Sequence, residues 1–202
     1  MFFSNINPES GPLTFNKENF VDDSFIEKVN RYIKTQELIQ GGIVDTPGKI
    51  KLKDDVRRSE IHWMVNEKYK DDLVPLYVEL TAKMREVNFQ YWNWIIDSWD
   101  AFQYTEYDES YKGHYDWHMD NTPKRSFEDH ARKISFSLGL NDADEYEGGE
   151  LELKLGTNDR ENVYRLSKGE VLVFPSHILH KVTPVIKGFR KVIVGWGLGH
   201  RI

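Results

Sequence analysis

The sequence predicts an α+β fold in which N-terminal helices buttress a double-stranded β-helix of the jelly-roll kind. Helical periodicity is confined to about the first ninety residues. From Asn93 onward the pattern changes to short alternating segments, most of them separated by turns carrying Gly, Asp, Asn or Pro. The high aromatic content, 13% with six tryptophans, suits a β-rich core.

Residues 22–39 read as an amphipathic helix. Phe25, Val29 and Ile33 recur at helical spacing, and Ser24 with Glu27 makes a capping box. Gly41-Gly42 ends it, and residues 41–55, with glycine, proline and several charges, read as an exposed loop. Arg57–Val65 reads as a strand with Ile61, Trp63 and Val65 on one face. A second helix is expected from about Asp71 to Asn88, with Leu73, Tyr77, Leu80, Met84 and Val87 as its buried stripe. Strands are then expected at 94–107, 113–120, 132–140, 149–155, 161–166, 170–174, 178–185 and 190–198. In the segment 132–140, Ile134, Phe136, Leu138 and Leu140 share one face, and Ser135, Ser137 and Gly139 share the other. That small face either meets solvent or lines a cavity; the sequence leaves both open. The whole chain, 1–202, is expected to be one domain, with 1–92 as helical support and lid elements and 93–202 as the jelly-roll core.

Composition excludes some chemistry. Without cysteine there is no disulfide, zinc-thiolate site or thiol catalysis. A formal charge of −6 argues against a broad nucleic-acid surface. The start, MFFSNINPES, lacks the basic and apolar regions of a signal peptide, and no apolar stretch approaches the length of a membrane span. Cytoplasmic residence is the plain expectation.

The stretch Tyr107–Asp120, YDESYKGHYDWHMD, ends in His118-x-Asp120, and about sixty residues later comes His180 in HILHKVTPV. Two imidazoles and a carboxylate form the facial triad that holds Fe(II) and leaves positions open for substrate and oxygen. In an extended strand, residues i and i+2 point to one face, so His118 and Asp120 can grip one ion together. A lone H-x-D pair is equally at home in a solvated loop. Arg190 alters that balance. It lies ten residues after His180, at the start of the apolar run Val192-Ile193-Val194, and Trp196 follows six later, in GFRKVIVGWGLG. A cation there is either an ordinary strand-start charge or a guanidinium poised for a carboxylate.

His118, Asp120, His180 and Arg190, in this order and spacing, resemble the Fe(II)- and 2-oxoglutarate-dependent dioxygenases, and in particular their prolyl-4-hydroxylase-like branch, which includes small bacterial and phage enzymes. HILHKVTPVIKGFRKVIVGW is similar to that branch's distal segment, and Tyr115–Asp120 to its proximal one. The resemblance covers roughly residues 99–198. It implies a jelly-roll fold, with His118, Asp120 and His180 as catalytic iron ligands. It implies Fe(II), 2-oxoglutarate and O2 as reactants and cofactors, and admits ascorbate. Arg190 would fix the far carboxylate of 2-oxoglutarate, aided by a tyrosine assigned to Tyr107 over Tyr104 or Tyr111. Trp196 resembles an aromatic near the metal, although core packing suits it equally. The reaction implied is oxidative decarboxylation of 2-oxoglutarate to succinate and carbon dioxide, coupled to hydroxylation of a substrate carbon. Retention of Asp120 separates the chain from halogenating relatives.

By analogy, the substrate is a prolyl residue of a peptide or protein. The segments 121–131 and 41–55 are candidate lids, and Arg57, Arg58, Trp117, Arg125 and Arg132 are candidate contacts, each also readable as a surface or packing residue. A free amino acid is the alternative substrate. Base repair fits less well, because Trp196 stands where those relatives usually have a second arginine. The alternative of another class is a non-catalytic or cupin-like metal-binding jelly roll, which needs no cation at Arg190. His177 is the nearest rival to His180, and His62, His114, His130 and His200 receive no role.

Overall fold

A computed structural model describes residues 13–46, 49–65, 70–121, 129–156 and 161–200. Two helices, Asp23–Ile33 and Lys70–Tyr91, accompany two antiparallel sheets that face each other. The larger sheet runs Phe15–Lys17, Val171–Pro175, His130–Gly139, Val185–His200, Gln103–Asp108, Glu60–Trp63 and Ile39–Gln40 in spatial order; Tyr146–Gly148 and Ser98–Trp99 also pair with Val185–His200. The smaller sheet runs Glu161–Tyr164, Leu151–Lys154, His180–Val182, His114–His118 and Arg57–Arg58. This is the double-stranded β-helix that the strand pattern predicts.

Alternation along the strands divides the core into two. Val171 and Val173 pack with the helices, whereas Leu172 and Phe174 pack between the sheets. That segment is continuously apolar because both of its faces are buried. The strand His130–Gly139 behaves in the same way. Ile134, Phe136 and Leu138 join Phe25, Val29, Leu80 and Met84 in the helical layer, while Ser135 and Ser137 face the space between the sheets. The solvated reading of the small face is therefore overturned: both serines are buried. Gly139 is small for a separate reason, since a Cβ there would lie 2.2 Å from the Ser167 carbonyl oxygen.

Several boundaries differ from expectation. The first helix is capped by Asp22, whose carboxylate accepts the Phe25 N–H at 2.9 Å; Ser24 donates to that same carboxylate and is not itself the cap. The helix stops at Ile33, well before residue 39, because tighter bonds from Thr35 and Gln36 close its last turn and Ile39–Gln40 then pairs with the strand Glu60–Trp63. The expected loop 41–55 contains a two-stranded ribbon, Ile43–Thr46 with Lys49–Lys51. Val65 lies beyond its strand and is exposed. The second helix extends to Tyr91 and also buries Leu76. The segment 94–107 is split into Ser98–Trp99 and Gln103–Asp108. The N-terminal part supplies strands to both sheets as well as helices. Most of the expected lid 121–131, Arg125 included, lies outside the described residues.

Candidate metal centre

His118 and His180 are direct cross-strand partners in the smaller sheet, so their side chains leave the same face and their ring centroids lie 4.2 Å apart. The strand ends at His118; Asp120 is held just beyond it because its N–H and that of Asn121 both donate to the Ser176 carbonyl, at 3.0 Å each. One ligand atom from each of His118, Asp120 and His180 lies within 4.8 Å of the others. Asp120 Oδ2 is 3.5 Å from His180 Nε2.

The tautomers follow from the hydrogen bonds. His118 Nδ1 lies 2.8 Å from the Asp116 carbonyl and His180 Nδ1 2.9 Å from that of Ile178. A carbonyl only accepts, so each Nδ1 carries a proton and each Nε2 presents its lone pair. Burial, reinforced by the neighbouring His180, pushes the His118 imidazole down to about 3 and keeps it neutral for coordination. Burial alone would raise the Asp120 carboxyl. The electrostatic pull of the His180 and His118 rings and the Arg132 guanidinium, with a hydrogen bond from Trp196, outweighs it and holds the carboxyl well below the usual carboxylate range.

The support around Asp120 is extensive. Ser135 donates its hydroxyl to Oδ2 at 2.7 Å, so the 2.8 Å contact between Ser135 and Ser176 must have Ser176 as donor. Arg132 is almost fully buried, with Nη1 3.8 Å from Asp120 Oδ1. Its Nε and Nη2 both reach Asp100 Oδ2, the former at 3.0 Å. Its guanidinium carbon sits 3.3 Å from the Trp196 ring centroid. Trp196 thus lies beside the cluster, stacked with this cation and bonded to Asp120. Tyr115 stacks on His118, with centroids 3.6 Å apart and planes at 15°.

His118, Asp120 and His180, with Tyr115, Ser135 and Trp196, line a cavity of about 200 Å3 together with Tyr107, Ser137 and Arg190. Arg190 and Tyr107 are register partners on adjacent strands of the larger sheet. Arg190 is 2% exposed. Its guanidinium carbon lies 5.4 Å from the Tyr107 ring centroid, its Nη2 is 3.3 Å from Ser137 Oγ, and it bonds to the Tyr146 hydroxyl. Its Nε has no partner, and no carboxylate lies within ion-pair distance among the described residues. A buried cation without a counter-ion costs several kcal/mol by general estimate, about what a bound anion would offset. Of the three tyrosines weighed from sequence, Tyr107 alone lines this cavity; Tyr104 donates to the Glu106 carboxylate and Tyr111 to the Glu106 carbonyl. A larger open cleft of about 600 Å3 beside the first helix contains neither His118, Asp120, His180 nor Arg190.

Residues 102–197 match the family model described as the 2OG-Fe(II) oxygenase superfamily. That match covers just under half of the chain. Similar curated proteins are PKHD-type hydroxylases. That of Synechococcus sp. (strain CC9605) is 45% identical over 82 residues, covering 41% of this chain and 35% of the relative. That of Idiomarina loihiensis is 40% identical over 83 residues, covering 41% and 36%. The matched stretch thus spans only about a third of these relatives' length. The fold is shared more widely. A Pseudomonas putida prolyl-4-hydroxylase aligns with TM-score 0.69 and 19% identity over 94% of this chain and 93% of that one. A prolyl hydroxylase from Trichoplax adhaerens, solved with a hypoxia inducible factor peptide fragment, aligns with TM-score 0.73 and 17% identity over 92% and 83%.

The supports of Asp120 are what the sequence does not reveal. Asp100 and Ser176 carry no signal in the sequence, which offers Arg132 only as a peptide contact or as a surface or packing residue. Its one clue was a cation followed, after Lys133, by an otherwise uncharged strand. Arg57 was read in the same way; it is buried, bonded to Ser59, Gly42 and Gln103, and lines the cavity. His177 is not in the cluster.

Proposed function

We propose that this chain is an Fe(II)- and 2-oxoglutarate-dependent dioxygenase that hydroxylates a substrate carbon, with prolyl residues of a peptide or protein as the substrate class. The observation that carries the reading is a two-His-one-carboxylate cluster, with His180 buried and the other two half-buried, sharing one cavity with a buried guanidinium that has no counter-ion among the described residues. The donor set suits Fe(II), and the orphaned Arg190 suits a dicarboxylate. When bound, Fe(II) supplies the redox centre that couples decarboxylation of 2-oxoglutarate, giving succinate and carbon dioxide, to insertion of one oxygen atom of O2 into a C–H bond.

The protein's own groups have distinct tasks. His118 and His180 offer Nε2 lone pairs while their Nδ1 protons stay on backbone carbonyls, which fixes the ring planes. Asp120 supplies the anionic ligand, oriented by Ser135, Trp196 and Arg132. Arg190 binds the far carboxylate of 2-oxoglutarate, with Ser137 and Tyr107 beside it, through a charge-assisted bond contributing about 1.5–3 kcal/mol. Leu151, Phe174, Val182 and Val194 supply the apolar part of the cavity wall. O2 would be the oxidant.

Prolyl peptides are favoured because the similar curated proteins are named PKHD-type hydroxylases and the solved neighbours are named prolyl hydroxylases, one of them holding a peptide. The lids proposed from sequence, which would cover such a chain, fall partly outside the described residues. Arg57 favours a second reading, a free amino acid, since a buried guanidinium with only neutral partners would accept a substrate carboxylate. Incubation with Fe(II), 2-oxoglutarate and O2, followed by mass spectrometry, tests both. Addition of one oxygen atom to proline-containing peptides is expected. Succinate release stimulated by a free amino acid and by no peptide would move the substrate to the second reading.

A further inference from the structure

A second cluster of the same ligand type lies elsewhere on the larger sheet. His130 opens one strand and His200 ends its neighbour; the two are direct register partners, with ring centroids 4.4 Å apart. Asp97 immediately precedes the strand Ser98–Trp99 on the other side of His200's strand, and its N–H donates to the Leu198 carbonyl at 2.8 Å. One ligand atom from each of Asp97, His130 and His200 lies within 4.8 Å of the others. Five positions separate His130 from Ser135, the serine that contacts Asp120, so about 17 Å of strand lies between the two clusters. One ion cannot serve both.

We propose that Asp97, His130 and His200 form a second metal site, structural in role, that takes a divalent cation of the zinc class. Donors on adjacent corners of a tetrahedral ion with bonds of about 2.0–2.1 Å lie roughly 3.4 Å apart, and His130 Nε2 and Asp97 Oδ2 are separated by 3.4 Å. Imidazole with carboxylate and no thiolate suits zinc, nickel or copper, all ahead of Fe(II) in intrinsic affinity for such ligands. All three side chains are partly exposed, so water can complete the coordination. The carboxylate is also placed by tight packing: a Cβ at Gly199 would stand 2.4 Å from the Ile95 carbonyl oxygen, so glycine there lets the Asp97 segment close onto the strand that carries His200. An ion at this point pins residues 95–99 across the ends of two central strands. Three residues further on, Asp100 holds Arg132, so the same segment carries the outer support of Asp120.

The test is a zinc titration of the metal-free full chain against a chromophoric chelator, with thermal unfolding in parallel. His180→Ala disables the first cluster and isolates the second; if it does not fold, Asp120→Asn takes its place. The isolated site is expected to bind one equivalent of zinc and to raise the melting temperature. Adding His200→Ala is expected to abolish both effects. Loss of even an outer partner weakens metal binding by about 10–100-fold, so loss of a ligand should cost about 100-fold or more. Zinc binding by the double variant as tight as in the single one would place the ion elsewhere and overturn the proposal. A folded single variant that binds no zinc would reduce the cluster to a surface ion pair and overturn it too.

Discussion

His118, Asp120 and His180 have the same ligand types as Asp97, His130 and His200, and in both clusters the two histidines face each other across an antiparallel strand pair. Their surroundings differ at every level. The first cluster lies between the sheets with His180 buried and His118 and Asp120 half-buried, its imidazoles are fixed through Nδ1 to backbone carbonyls, and its carboxylate is supported by Ser135, Trp196 and Arg132. It opens into a cavity that also holds the Arg190 guanidinium. The second lies at the strand ends and is partly exposed. Ligand identity therefore decides that a cation can bind. Burial, fixed tautomers and an adjacent unpaired charge decide whether chemistry can follow.

The comparison can be broken most severely at Asp120. Asp120→Ala is expected to reduce Fe(II)-dependent succinate formation to background in protein stripped of metal and reconstituted; undiminished turnover would remove Asp120 from the site. Arg190→Ala is the next largest effect. Loss of a charge-assisted bond of about 1.5–3 kcal/mol corresponds to a rise of about 10- to 150-fold in the apparent KM for 2-oxoglutarate, with iron affinity intact. An unchanged KM would shift the carboxylate clamp to another residue. Ser135→Ala tests the outer support. It is expected to weaken Fe(II) binding by about tenfold, read by competition with a chelator, because Asp120 loses a donated hydrogen bond. The smallest effect on turnover belongs to His200→Ala, which should leave kcat within about twofold while removing the second zinc equivalent, since surface substitutions far from a site perturb it little.

Much of the site was legible because its determinants are short in sequence. The pair His118-x-Asp120 is local, and Arg190 betrays itself as a cation beside an apolar run. The pairing of His180 with His118 is a register fact that sequence does not show, yet any neighbouring strand with the right face would bring them together. The supports of Asp120 were not legible, because Asp100, Ser135 and Ser176 come from three different segments and each is unremarkable on its own. In the fold, the apolar periodicity of the second helix and the alternation of the strands were readable. Helix ends were less so. Ser24 looked like the cap because Ser-x-x-Glu is a common signature, but Asp22, two residues earlier, reaches the Phe25 N–H. The first helix ends early because backbone groups of Ile39–Gln40 find partners in the sheet, a tertiary gain that local propensity cannot register.

The claim that the first cluster and Arg190 form one cofactor site is tested most directly by anaerobic absorbance. Metal-free protein would be titrated with Fe(II) and then with 2-oxoglutarate. A visible charge-transfer band should appear only when both are present, vanish in Asp120→Ala, and need higher 2-oxoglutarate in Arg190→Ala. Folded, iron-loaded protein that shows no band at saturating 2-oxoglutarate would contradict the account and favour a metal-binding jelly roll without this co-substrate.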